Sequence, residues 1–261
     1  MLSLVLLALA PVLLHAQQHQ HQQIPLQEHQ PELVIPLTLS KEKTYTFESS
    51  LDGTRILSST TLQDIQSYGD IISLPQNAVI TIPLEPTLPG VIMLNSLLQQ
   101  ETKWMYTAVP GENIGITHVG IRRGGMVSMD AHATRLALDT PYIALPGEMY
   151  DVLVQATKPV PHQHSTGYDD VVDCSRMEIF PDIVLGLEPE TDEEEEDDDT
   201  IRGEIVITPD QYVLETEEGQ CILLAKRAYH QSREEVVLGW AAVRGRSVVL
   251  DWVNERTGFD L

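Results

Sequence analysis

The chain has 261 residues, of which 42% are hydrophobic, and a formal net charge of −23 at neutral pH. This composition is typical of a globular protein with a sizeable core. Because phosphate groups are bound by clustered lysine and arginine side chains, and none cluster here, we expect neither a nucleic acid nor an anionic membrane surface as a partner.

Residues 1–16 are predicted to be a signal peptide. Their apolar run from Leu2 to Leu14, broken only by a serine and a proline, has the length of a secretory signal and is too short to cross a bilayer as a helix. Residues 17–32 form a Gln/His-rich tract with little apolar surface to bury, and we expect a disordered leader there. These two segments predict a secreted, extracellular protein without a transmembrane helix.

Short apolar runs alternate with turn residues from Leu33 onward, which predicts strands. In the first part of the chain, 33–102, the predicted strands are LVIPLTL, KTYTFESS, GDIISLP, AVITIPL and VIMLNSLL. In the second part, 103–261, they are YTAV, NIGITHVGI, TRLALD, YIALP, PDIVLGL, EIVITP, QYVLE, QCILLAKRA, VVLGWAAV and SVVLDWVNE. The core is therefore expected to be β throughout.

Two segments of the second part depart from this pattern. GEMYDVLVQAT is predicted to be a short helix, because Met149, Leu153 and Val154 would share one buried face. The run 188–199 carries ten acidic side chains that repel one another. We expect it to be a solvated loop inserted between two strands.

Cys174 and Cys221 are the two cysteines of the chain. An even count in a secreted protein favours a disulfide, which would close a loop of 47 residues and contribute on the order of 4 kcal/mol in the chain-entropy model. The alternative is a metal site built on the two thiolates, but it lacks the CxxC spacing and the neighbouring histidines that such sites use. We expect no metal and no cofactor.

Five features occur in one order in the second part of the chain. They are LALDT followed by YIALP, a cysteine before PDIVLGL, a second cysteine after PDQYVL, the strand VVLG, and VVLDWVNERTGF. In this order they resemble the C-terminal lobe of pepsin-type aspartic proteases. The matching positions are Asp139, Thr140, Cys174, Cys221, Val237, Leu238, Gly239, Arg244, Val249, Asp251, Gly258 and Phe259.

The resemblance implies an all-β, pepsin-like aspartic protease fold with a complete C-terminal lobe. One strand would deliver Asp139 and Thr140 to a catalytic loop, and the strand that ends at Gly239 would thread beside it. Cys174 would be bridged to Cys221. In this family two aspartates share one proton and activate a water molecule, so the expected partner is a polypeptide substrate or a peptide ligand.

The first part of the chain resembles the N-terminal lobe of the family only in fragments. The stretch VIPLTLSKEKTYTFESSLDGTRILSS is similar to the opening hairpin, which makes Asp52 the second catalytic aspartate in a rearranged loop. Tyr68 is similar to the tip of the substrate-covering flap, and Tyr68 and Thr140 are the expected substrate-binding residues. Plain turns at Asp52-Gly53 and at Tyr68 are the alternatives. Because Asp52 and Asp139 lie much closer in sequence than in the family, we expect the N-terminal lobe to be truncated.

Both expected catalytic loops are altered. Pro141 replaces the glycine of the Asp139 loop; it has no N–H to offer the carboxylate and cannot adopt a glycine-only conformation. Arg55 stands where the family has a small hydroxyl residue and would favour the ionised form of Asp52, and Trp240 stands where the family usually has an aspartate. We therefore expect a secreted, monomeric aspartic endopeptidase of weak activity. The alternative is a catalytically inactive pepsin-like protein that acts as a peptide-binding or structural module.

Overall fold

The computed structural model describes residues 33–39, 43, 45–50, 56–59, 76–96, 102–106, 109–122, 128–129, 133–164, 167–187, 204–228 and 235–260. Within these ranges the chain folds mainly into strands. In chain order they are β1 (Leu33–Leu39), β2 (Tyr45–Ser50), β3 (Ile56–Ser59), β4 (Asn77–Ile82), β5 (Gly90–Leu94), β6 (Lys103–Tyr106), β7 (Ile116–Arg122), β8 (Ser128–Met129), β9 (Ala133–Ala137), β10 (Ile143–Leu145), β11 (Val160–His164), β12 (Gly167–Val172), β13 (Asp182–Leu187), β14 (Glu204–Ile207), β15 (Val213–Glu215), β16 (Cys221–Leu223), β17 (Ala225–Arg227), β18 (Glu235–Gly239), β19 (Arg246–Asp251) and β20 (Arg256–Phe259). The helices are α1 (Gly147–Thr157), α2 (Pro209–Tyr212) and two 3₁₀ helices, Cys174–Ile179 and Trp240–Val243.

Both ends of the described chain contribute to one antiparallel sheet of eight strands, in the order β3-β2-β1-β5-β4-β19-β20-β6. At its centre β4 pairs with β19, and Ile80 lies opposite Val248 with both side chains buried. Residues along β5 alternate between buried and half-buried, because successive side chains of a strand point to opposite faces of the sheet. The buried face of this sheet therefore combines side chains from the two ends of the chain.

Three sheets of four strands each complete the described fold. Their orders are β17-β10-β18-β9, β11-β12-β16-β15 and β14-β13-β7-β8. In the first of them, β9 runs parallel to β18, and β10 runs antiparallel to β18 and parallel to β17. Since parallel neighbours need long crossover connections, strands from distant parts of the sequence meet beside the loop that follows β9.

Helix α1 confirms the predicted amphipathic segment. Met149, Leu153 and Thr157 are buried at intervals of one helical turn, and Val154 is half-buried beside them. The helix ends at Thr157 and is capped by Lys158, whose backbone is left-handed (φ 51°) and whose N–H donates to Val154 O at 2.8 Å.

Most predicted strands that fall on described residues are confirmed, and a few segments differ. QYVLE begins inside helix α2, because Pro209 presets the first helical position and Thr208 and Gln211 form a capping box. The last four residues of VVLGWAAV form a 3₁₀ helix; all four are buried, and an apolar run without a clear period does not distinguish helix from strand. Strand β6 lies just before most of YTAV, the β11–β12 hairpin was not predicted, and GDIISLP lies outside the described residues.

The disulfide between Cys174 and Cys221 is present, with 5.4 Å between the two Cα atoms. The predicted pairing is confirmed, and the metal site on two thiolates is excluded. Val172 lies opposite Cys221 in the pairing of β12 with β16, so the bridge fastens the 3₁₀ helix that begins at Cys174 to β16.

Replacing Cys174 and Cys221 together with serine is expected to lower the free energy of unfolding by about 2 to 4 kcal/mol, because the unfolded chain regains the entropy of the open loop. Urea denaturation of the oxidised protein and the variant measures the difference. The reduced wild-type protein is the control and is expected to match the variant. An oxidised protein that unfolds at the same urea concentration as the variant would contradict the prediction.

Several predicted segments lie outside the described residues: the signal peptide, the Gln/His-rich leader and the acidic run 188–199. The strands on either side of the acidic run, β13 and β14, pair as antiparallel neighbours with Ile183 opposite Ile207. None of the described helices has the length and apolar character needed to cross a membrane.

Candidate functional site

The loop after β9 holds the predicted catalytic residue Asp139. A tight turn follows the strand, in which the Thr140 N–H donates to Ala137 O at 3.1 Å. Asp139 is exposed at this turn, whereas Leu138 and Pro141 are buried. The buried neighbours hold the turn in place, and the carboxylate is accessible from solvent.

Strand β18 approaches this loop closely at Gly239. The Trp240 N–H donates to Thr140 O at 2.9 Å, and the Ala241 N–H donates to Pro141 O at 3.4 Å. A Cβ atom on Gly239 would lie 2.6 Å from Thr140 O, so this position has room only for glycine. The threading of a glycine-ended strand beside the Asp139 loop, which the family resemblance implied, is thus present.

The described residues donate no hydrogen bond to the Asp139 carboxylate. Pro141 has no N–H, and the Thr140 hydroxyl is engaged by the Tyr142 N–H, which donates to it at 3.4 Å. Donors to a catalytic carboxylate stabilise its ionised form and fix its orientation. The loop thus follows β9 and lies beside Gly239, and its carboxylate has no donor among the described residues.

Asp52 and Tyr68 lie outside the described residues, as does Arg55. The pairing of Asp52 with Asp139 therefore stays a prediction. So do the substrate-binding roles of Tyr68 and Thr140.

A charged cluster of four residues, Lys43, Tyr142, Asp169 and Lys226, lies beside the loop. The Lys43 ammonium is 2.6 Å from each of the two Asp169 carboxylate oxygens. The Tyr142 hydroxyl donates to Asp169 Oδ1 at 3.4 Å, and Lys226 Nζ lies 3.2 Å from the centroid of the Tyr142 ring in a cation–π contact. Tyr142 connects the cluster to the Asp139 loop.

Burial and charge act together on two members of the charged cluster. Burial raises the pKa of Tyr142 to about 12, and the Asp169 carboxylate acts in the same direction. Burial lowers the pKa of Lys226, while Asp169 opposes this effect. At neutral pH Tyr142 is therefore a neutral phenol, and its hydroxyl donates a hydrogen bond to Asp169.

The turn between β1 and β2 delivers Lys43 to the charged cluster. Its backbone is left-handed (φ 60°), which is uncommon for a residue with a Cβ atom. The Trp240 indole N–H donates to Lys43 O at 2.8 Å, and the Tyr45 ring packs edge-on against Trp240 with 5.3 Å between the ring centroids. Trp240, which stands where the family usually has an aspartate, thus holds the β1–β2 hairpin beside the Asp139 loop.

Sequence reasoning missed the charged cluster. Lys43 and Asp169 are 126 residues apart, and neither belongs to a motif with a chemical signature. The one hint in the sequence was Trp240, which differs from the family pattern. In the structure its indole bonds the Lys43 carbonyl and so holds Lys43 near Asp169. Among the described residues, no group of three or more His, Cys, Asp or Glu side chains converges as a metal site requires.

The fold built by these sheets is all-β and pepsin-like. Among solved structures, the chain is similar to basic 7S globulin from soybean, which has a pepsin-like fold, with a TM-score of 0.53 and 13% sequence identity. The similarity covers 83% of this chain and 68% of the globulin chain. At this level of identity it establishes the fold alone. No family model and no curated protein sequence matches the chain.

Proposed function

We propose that this protein is secreted and binds extended peptides at a pepsin-like cleft without hydrolysing them. The observation that carries the proposal is the loop at Asp139, where the exposed carboxylate stands beside buried Pro141 and receives no donor from the described residues. Proton sharing between two aspartates requires both carboxylates to be oriented and held close together. A carboxylate that lacks a hydrogen-bond donor is poorly oriented for sharing a proton. The binding of a peptide over the loop does not depend on that orientation.

The retained loop supports a binding role. Gly239 still admits the loop backbone against β18, and Tyr142 presents a half-buried aromatic ring with a hydroxyl at the same place. Sites that recognise peptides combine apolar or aromatic surface with a few placed polar groups. The disulfide supports secretion, because such bridges persist in oxidising compartments.

The second candidate is a weak aspartic endopeptidase that uses Asp52 and Asp139. The observation that favours it is the parallel pairing of β9 with β18, which brings Gly239 at the end of β18 beside Ala137, just before Asp139. In this mechanism the two carboxylates share one proton, and a water molecule between them attacks the peptide carbonyl.

The mature chain, without residues 1–16, is expected to cleave denatured protein at about pH 3 to 5 no faster than its Asp139→Asn variant. The same preparations are expected to bind a set of extended peptides equally well, as measured by fluorescence anisotropy. Asp260→Asn, a change at another exposed aspartate, is the control for surface charge.

The endopeptidase candidate predicts the opposite result in this assay. Cleavage would be blocked by a pepstatin-type inhibitor and abolished by Asp139→Asn. Pro141→Gly, which restores an N–H to the loop, would then raise the rate about tenfold to a hundredfold, since a hydrogen bond to a charged group contributes about 1.5 to 3 kcal/mol. That outcome would replace our proposal with the enzyme.

A further inference from the structure

We propose that the Asp169 carboxylate is a binding site for the lysine or arginine side chain of a bound peptide, and that Lys43 occupies this site in the peptide's absence. The peptide part of this inference rests on the proposed function. The occupation by Lys43 rests on the structure alone.

The Asp169 side chain is 10% exposed, and burying a carboxylate costs free energy unless a cation or several donors replace the lost water. Lys43 supplies the cation symmetrically, 2.6 Å from each oxygen, and the Tyr142 hydroxyl supplies a neutral donor. Asp170, the next residue of β12, accepts a hydrogen bond from the Tyr150 hydroxyl at 3.3 Å, and its charge acts on the pKa of Tyr142 and of Lys226 in the same direction as Asp169 does. The site thus binds an ammonium group through the Asp169 carboxylate, which a phenol hydroxyl also bonds.

The Lys43 side chain is able to leave this site without loosening the hairpin. Its backbone is held independently, by the Trp240 indole on Lys43 O and by the packing of Tyr45 on Trp240. The side chain itself is a flexible four-carbon stem and is 19% exposed, so it already reaches solvent. A basic side chain that enters the site therefore displaces only the Lys43 side chain, and the β1–β2 hairpin stays in place.

The position of the site relative to the loop makes it suited to a side chain of a peptide lying over Asp139. Tyr142 follows the loop directly and touches Asp169 through its hydroxyl. Lys226 Nζ lies over the face of the Tyr142 ring, 3.2 Å from its centroid, so a second cation is already present beside the site. In this inference a peptide that lies over the loop extends one long basic side chain past Tyr142 to the Asp169 carboxylate.

Chemical rescue tests the site without any peptide. Lys43→Gly removes the occupant, and glycine suits the left-handed backbone of the turn. We expect the melting temperature to fall by about 4 °C or more, because the Asp169 carboxylate loses the ammonium group that lies 2.6 Å from both of its oxygens. We expect n-butylammonium at millimolar concentration to restore at least half of the loss, and n-butanol, its neutral analogue, to restore none.

Two further variants define the rescue. Lys43→Met fills the space of the stem without a charge and is expected to show no rescue. Lys43→Gly combined with Asp169→Asn keeps the space and removes the carboxylate, and is also expected to show none. Equal effects of n-butylammonium and n-butanol, or no effect of either on Lys43→Gly, would overturn the inference. If Lys43→Gly does not fold, the same comparison with Lys43→Ala decides the question.

Two peptides that differ only in lysine against norleucine then test the ligand class. In Lys43→Gly the lysine peptide is expected to bind at least tenfold more tightly than the norleucine peptide, and the preference is expected to vanish when Asp169 is also changed to asparagine. In the wild-type protein the preference is expected to be smaller, because Lys43 competes. Rescue by n-butylammonium without binding of either peptide would reject the proposed peptide function and retain the ammonium site. Equal binding of both peptides to Lys43→Gly would reject the inference and retain the proposed function.

Discussion

Replacing Gly239 with alanine is expected to lower the free energy of unfolding by more than about 4 kcal/mol. The new Cβ would lie 2.6 Å from Thr140 O and 2.8 Å from the carbonyl carbon of Pro141, and it would contact Tyr142 O more closely still. These are all backbone atoms, so no flexible side chain is available to move aside. Either β18 or the Asp139 loop has to shift.

Thermal and urea denaturation measure this effect, with a fall in melting temperature of roughly 10 °C expected. Gly219→Ala is the matched control, since a Cβ there meets nothing within 4 Å. The expected cost of that change, about 1 to 2 kcal/mol, comes only from placing a Cβ on a left-handed backbone (φ 77°). Equal destabilisation by the two substitutions would show that β18 does not press against the loop as closely as the structure describes.

Hydrophobic periodicity was enough to predict most of the described strands. β1 occupies the predicted segment LVIPLTL, and α1 occupies GEMYDVLVQAT. In each segment the spacing of the apolar residues fits one type of element, the strand in the first and the helix in the second. Periodicity fails in the β11–β12 hairpin, where Val160 and Tyr168 are exposed and polar residues lie between them. That hairpin is stabilised by pairing with β16, a contact that its own composition does not reveal.

The candidate site was predictable only where a motif has a fixed local geometry. The Asp139 loop and the glycine that admits it form such a motif, and both are where the resemblance implied. The ion pair of Lys43 with Asp169 depends on how a hairpin turn meets a strand more than a hundred residues later, and no local rule contains that information. The role of Asp52 stays a prediction, since it lies outside the described residues.

Arg244 is the second residue whose loss is expected to be severe. Its side chain is buried, with the residue only 4% exposed, and its guanidinium donates to three backbone carbonyls. Gln211 O accepts at 3.0 Å and Val213 O at 3.2 Å from Nη1, and Leu84 O accepts from Nη2. These carbonyls belong to α2, to β15 and to the segment after β4, so one side chain joins three parts of the fold. Burial lowers the pKa of Arg244, but a guanidinium has so high an intrinsic pKa that it stays protonated at neutral pH.

Arg244→Met is therefore expected to lower the free energy of unfolding by about 4 kcal/mol, because it leaves three carbonyls without their donor in the interior. Arg244→Lys keeps the charge, but a single ammonium group does not span all three acceptors, so an intermediate loss is expected. Arg122→Met is the control: Arg122 is an exposed arginine paired with Glu204, and the loss of such a surface pair costs about 0 to 1 kcal/mol. Urea denaturation of the three variants gives the comparison. If Arg244→Met were no more harmful than Arg122→Met, water would have to replace the guanidinium at all three carbonyls. Arg244 would then not be the link that joins α2, β15 and the segment after β4.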